Sequence, residues 1–116
     1  MLYEKEIAKD HYYSIINKED YSYFLITCAF EDYKKLSKNE FIILTVKWKK
    51  KVKESIHLDD VGYALNGGNI FVVVNNQRRQ EFLEEISRIS FTKANKSSIY
   101  SEVIELNKDE IRTIMF

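Results

Sequence analysis

Apolar and polar positions change period once in full view, between Asn69 and Ile89. Ile70 to Val74 is an unbroken apolar run rich in β-branched residues, which predicts a central strand buried on both faces. After the polar pair Asn75 and Asn76, Phe82, Leu83, Ile86 and Ile89 recur at three- and four-residue steps. Arg79, Glu81, Glu84, Glu85 and Arg88 take most of the other face, so the spacing predicts a helix over about 77–89. Asn75 or Asn76 caps it by accepting a hydrogen bond from a backbone N–H of the first turn.

Upstream, Leu2 to Ala8 and Tyr12 to Ile16 are short alternating segments separated by Lys9 and Asp10, the pattern of a hairpin or an edge meander. Asn17 to Asp20 is a polar turn signal. From Tyr21 to Phe30 both parities are apolar, which fits an inner strand or a buried helix, and the Tyr, Phe, Ile and Thr content favours the strand. Glu31 to Glu40 reads as a charged connector with a helical turn around Tyr33 to Leu36. Phe41 to Trp48 then predicts a second inner strand, with Ile42, Leu44, Val46 and Trp48 on one face. Residues 49–56 have two continuations. A strand would project Lys47, Lys49, Lys51 and Lys53 from one face, whereas a helix would have Trp48, Val52 and Ile56 as its inner stripe.

Leu58 to Leu65 reads as a strand joined to the central one through Asn66, Gly67 and Gly68, in preference to a short helix started by Asp59 and Asp60, because Asn-Gly between apolar segments is a strong hairpin signal. Phe91 to Ser98 is a polar loop and Ile99 to Leu106 an alternating strand. Asn107 and Glu110 stand at capping-box spacing before Ile111, Ile114 and Met115, which predicts a short C-terminal helix. The sum is α+β: one globular domain, 1–116, with a mainly antiparallel, curved sheet packed against one long helix (about 77–89).

Composition narrows the function classes. At 116 residues and 45% hydrophobic content, the chain is long enough for an independent core. Eighteen basic residues balance eighteen acidic ones, so no global field steers the chain to nucleic acid or an anionic membrane. The single cysteine, Cys28, rules out an intrachain disulfide and reads as a small buried hydrophobe in a reducing compartment. No signal-peptide core and no run of about 20 apolar residues occurs, so a soluble, cytoplasmic protein with no membrane association is expected.

Four groups of residues could carry chemistry. Lys47, Trp48, Lys49, Lys51 and Lys53, with Lys50, form the densest local charge; on a strand they could follow phosphates while an exposed indole stacks on a base, and the other, favoured reading is a solvated strand or helix face whose lysines guard an edge while Trp48 is buried. Arg78 and Arg79 fall at a strand–helix junction, where N–H groups and the helix dipole favour an anion, although no phosphate-loop or dinucleotide glycine spacing is present. His57, Asp59 and Asp60 match no metal motif and read as turn and cap residues. Neither His11 nor His57 stands at a spacing that would serve Cys28 or a serine as a nucleophile's base. Finally, Tyr3, Tyr12, Tyr13, Tyr21 and Tyr23 crowd the first two dozen residues, and tyrosine is enriched at protein interfaces.

The function that these features favour is a small intracellular protein-binding module that occupies a partner's surface, in the manner of an inhibitor, immunity or antitoxin-like protein of a phage or mobile element. The Tyr3–Tyr23 region is its interface, a homodimer being one form of it. The alternative is nucleic-acid or nucleotide binding through the Lys47–Lys53/Trp48 face or Arg78/Arg79. A second alternative is a small enzyme without a recognised motif, which would need groups such as His57, Asp59 and Arg78 to converge. No catalytic residue, metal or cofactor is indicated.

Overall fold

In the computed structural model, which describes residues 2–17, 19–92 and 98–115, the elements run β1 (Leu2–Glu4), α1 (Lys5–Asp10), α2 (Tyr12–Ile16), β2 (Tyr21–Phe30), α3 (Lys38–Ser55), β3 (Val61–Ala64), β4 (Ile70–Asn75), α4 (Arg79–Ser87), β5 (Ser90–Thr92), β6 (Ser98–Leu106) and α5 (Lys108–Met115). Six strands form one open sheet in the order β1-β3-β4-β2-β6-β5. Every neighbouring pair is antiparallel except β1 with β3. The segments β2-α3-β3-β4-α4-β6 follow the split βαβ, or ferredoxin-like, arrangement, with β4 and β2 adjacent at its centre.

The unbroken apolar run of β4 has its explanation here: both faces of the sheet are covered. Ile70, Val72 and Val74 join Phe24 and Ile26 of β2 against Leu44, Trp48 and Val52 of α3 and Phe82 and Ile86 of α4. The opposite parity, Phe71 and Val73 with Tyr23 and Tyr63, packs on Ala8, Ile15 and Ile111 from α1, α2 and α5. A two-sided core follows from period-2 alternation in two neighbouring strands that are apolar on both parities.

The β3–β4 hairpin through Asn66–Gly68 is as expected, with Ala64 opposite Ile70. Gly67 and Gly68 both adopt positive φ, 76° and 80°, which a side chain would resist. Asn75 caps the turn before α4 by accepting from the Gln77 N–H at 2.9 Å. The Asn107–Glu110 box starts α5 reciprocally, at 2.9 and 3.0 Å.

Four expectations are corrected. Phe41 to Trp48 is not a strand but the first half of α3, the longest helix, started by a capping box in which the Glu40 N–H donates to Ser37 Oγ and the Ser37 N–H to Glu40 Oε1. The alternation of Ile42, Leu44, Val46 and Trp48 misleads because only Leu44, Trp48 and Val52 face the core, while Ile42 and Val46 face solvent. Of the two continuations for 49–56, the helical one holds to Ser55, with Ile56 buried just beyond it. The helix expected at 77–89 is present as α4 over Arg79–Ser87, preceded by a 3-10 turn at Asn76–Arg78, so it is not the long one. At the amino terminus only β1 is extended; Lys5–Asp10 and Tyr12–Ile16 are helices, and Tyr23 Oη fixes the second by donating to the Ile15 carbonyl at 2.9 Å. Of the loop expected from Phe91 to Ser98, residues 93–97 lie outside the described residues, and Ser90–Thr92 form β5.

Candidate functional site

The densest polar cluster lies where the β3–β4 hairpin brings the segment after α3 beside the start of α4. Asp60 is buried and accepts from the His57 N–H at 2.9 Å, closing the 57–60 turn. Both of its oxygens also accept from Arg78 Nε at 3.1 Å, and Oδ2 from Nη2. Arg78 Nη2 donates in addition to the Ser55 carbonyl at 2.9 Å, at the end of α3. Burial opposes the charge on Arg78, but the hydrogen bonds and charge of Asp60, with the charges of Glu85 and Glu81, outweigh it and hold its pKa above the ordinary value. The guanidinium thus fastens the end of α3 and the following loop to the start of α4.

His57, Glu81 and Glu85 offer ligand atoms within 4.8 Å of one another, a donor set suited to a divalent cation. Arg78 Nη1 lies 3.5 Å from an atom of each, so the guanidinium itself supplies the positive charge at that point. His57 and Arg78 therefore do converge, and Asp59 shares with Arg78 a hollow of about 400 Å³ lined also by Tyr21, Asn75 and Gln77. The carboxylate that engages the guanidinium is Asp60 rather than Asp59, and its bonds are those of a loop clamp.

Arg79 points elsewhere. It forms a fork with Glu105 of β6, at 2.6 and 3.3 Å, and sits over the Phe24 ring at 5.7 Å. The hydrogen bonds from Arg79 lower the pKa of Glu105. Both arginines considered for an anion are thus engaged by carboxylates, which removes most of the positive potential that such a ligand would feel.

Helical geometry redistributes the lysines. Instead of projecting from one strand face, Lys49, Lys50 and Lys53 fall on the outward stripe of α3 and Lys47 and Lys51 on its flank, where Lys51 pairs with Glu54 at 3.4 Å. Trp48 is 0% exposed and its Nε1–H donates to Ser101 Oγ of β6 at 2.8 Å. Of the two readings of Trp48, the structure has the buried one and not the exposed indole for base stacking: a helix puts Trp48 a turn from Leu44 and Val52, on the core side.

The five tyrosines lie on the other side of the sheet, around α1, α2 and α5. Tyr23 is buried. Tyr3 packs edge-on against His11, whose Nδ1 is 2.9 Å from Tyr63 Oη. Burial, and secondarily Tyr3, pushes the Tyr63 hydroxyl up to about 12. Tyr12 and Tyr13 contact each other at 5.4 Å between ring centroids and, with Ile16 and Arg112 of α5, line an open depression of about 610 Å³. Tyr13 is 74% exposed. Arg112 is the member of this group that sequence spacing gave no reason to select; its place follows from α5 packing on the tyrosine-bearing helices. On the same side, Tyr100 and Ile104 of β6 are exposed, with Ile104 beside Leu25 of β2.

No protein-family profile matches the chain, and no curated protein matches it. Among solved structures, it is similar to a chain in the crystal structure of the diguanylate cyclase SiaD in complex with its activator SiaC from Pseudomonas aeruginosa. The superposition has a TM-score of 0.62 at 9% identity and covers 97% of this chain and 53% of that one. The present chain thus spans about half the length of that neighbour, and at this identity the likeness is one of fold.

Proposed function

We propose that this protein is a binding module that acts by occupying the surface of a partner protein through the face formed by α1, α2 and α5. The observation that carries this reading is the depression walled by Tyr12, Tyr13, Ile16 and Arg112, where a largely exposed tyrosine stands beside a second tyrosine and an arginine. Tyrosine and arginine dominate interface hot spots because each brings large contact area and a polar tip at modest entropic cost. The fold neighbour was crystallised as a complex of two proteins, which is in keeping with an interaction role and does not identify the partner. Inhibitor, immunity or antitoxin-like action, a phage or mobile-element source, homodimerisation and a cytoplasmic location are finer readings within this proposal.

The test is a paired capture from the cells that make the protein, using the unaltered chain and a Tyr13→Ala/Arg112→Ala variant. One stoichiometric protein retained through a high-salt wash by the first and lost from the second supports the reading. Equal retention by both moves the interface elsewhere. Recovery only of nucleic acid that salt removes favours the lysine-bearing helix as a phosphate-binding face instead.

A further inference from the structure

On the opposite side of the sheet, α3 turns an unusual face to solvent. Ile42, Ile43 and Val46 are 48%, 44% and 62% exposed, and in line with them toward the C-terminus come Lys49, Lys50 and Lys53. Ile42, Val46, Lys49 and Lys53 succeed one another at four-, three- and four-residue steps, so they form one ridge about 16 Å long. Leu2, Val46, Lys49, Lys50 and Lys53 line a hollow of about 420 Å³ along it. Among the described residues, no carboxylate pairs with Lys49, Lys50 or Lys53. The ridge is therefore apolar in one half and carries unneutralised positive charge in the other.

We infer that this face of α3 is a docking site for an acidic amphipathic helix of a protein partner, one whose apolar residues cover Ile42, Ile43 and Val46 and whose Asp or Glu residues meet Lys49, Lys50 and Lys53. Helical spacing of the ridge matches the grooves of a second helix, and the charge defines the partner's sign. An anionic membrane is disfavoured by the layout. A surface-lying helix needs its apolar stripe to run the length of the element with lysines at its margins; here the lysines interrupt the stripe itself and would meet the acyl region. A second copy is also disfavoured. The chain's own acidic helix, α4, exposes Glu81 and Glu84 but buries Phe82 and Ile86, so it has no apolar half to offer.

The probe is a capped peptide of about 14 residues, three to four helical turns, with leucines at helical spacing in one half and glutamates in the other. Controls are a scrambled peptide of the same composition and a version with lysine for glutamate. Binding to the full chain is read by fluorescence anisotropy. The acidic peptide is expected to bind at least about ten-fold more tightly than either control and to weaken by a similar factor on Val46→Ser or Lys49→Glu/Lys53→Glu, both solvent-facing changes that the fold tolerates. Equal affinity for the scrambled peptide, no binding, or indifference to both variants overturns the proposal. So does recruitment to phosphatidylserine vesicles that the same variants abolish while the peptide fails to bind. Tyr13→Ala is expected to leave peptide binding unchanged, which keeps this site separable from the tyrosine face.

Discussion

Asp60 and Arg78, 18 positions apart and on either side of the β3–β4 hairpin, meet as a buried carboxylate gripped by a guanidinium fork. The Asp60 side chain is fully buried, so removing the arginine would strand an uncompensated charge. Arg78→Ala is therefore expected to cost about 3–5 kcal/mol, and Arg78→Lys to recover only part of it because an ammonium cannot span both oxygens. Urea unfolding monitored by circular dichroism measures this, and a loss below about 1 kcal/mol would mean that the pair is not desolvated as described.

Trp48, the only tryptophan, reports directly on the α3–sheet contact. Its fluorescence is expected to be blue-shifted and insensitive to iodide until the protein unfolds. Trp48→Ala should destabilise by about 3–5 kcal/mol through the cavity it leaves. Trp48→Phe should cost less but leave Ser101 Oγ without its donor. Red-shifted native emission that iodide quenches would contradict the burial of this residue.

Alkaline pH should unfold the chain over a defined range. Burial pushes the Cys28 thiol from 9.0 and the Tyr63 phenol from 10.0 up to about 12, a hydrogen bond with Thr45 opposing the first shift and the charge of Tyr3 adding to the second. Both raised values favour the protonated forms in the folded state. Their contribution is complete below pH 9 and is lost as pH rises through 9–12. Native Cys28 should accordingly react slowly with iodoacetamide at pH 8 and rapidly in urea. Equal rates in the two conditions would show the thiolate to be accessible in the fold.

At the β3–β4 turn, a Cβ on Gly68 would meet open space, so any cost of substitution comes from its φ of +80° alone. Gly68→Ala is expected to lose about 1–2 kcal/mol, and Gly68→Asn less, since asparagine tolerates the left-handed region. Equal midpoints for the three proteins in thermal unfolding would remove that backbone argument.

What the sequence made legible depended on whether apolar residues and burial coincide. In β4 and α4 they do: Ile70–Val74 are all buried, and Phe82 and Ile86 are the apolar positions of α4 that reach the core, so pattern and structure agree. In α3 they do not. Ile42, Ile43 and Val46 are apolar without being buried, and they give a false period that makes a helix resemble a strand; the Ser37–Glu40 capping box is the sequence feature that marks the helix. The short helices at Lys5–Asp10 and Tyr12–Ile16 carry too few turns for a helical period to develop. Within the candidate sites, residue types at Arg78 and Tyr13 could be singled out, but the engagement of Arg78 by Asp60 and the arrival of Arg112 beside Tyr13 are made by tertiary packing.

The central position of β2 also governs how the chain can assemble. One edge of β2 pairs with β4 and the other with β6, whose partner for Tyr23 is Leu106. During synthesis, β2, α3, β3, β4 and α4 can all be in place while that second edge still lacks its neighbour, for several seconds at ordinary translation rates. Over that interval a nascent chain presents a long, apolar, unpaired strand edge. The protein should fold slowly for its size, because its most extensive strand pairing joins residues far apart in sequence, and its yield should depend on chaperones that shield β2 until β6 arrives.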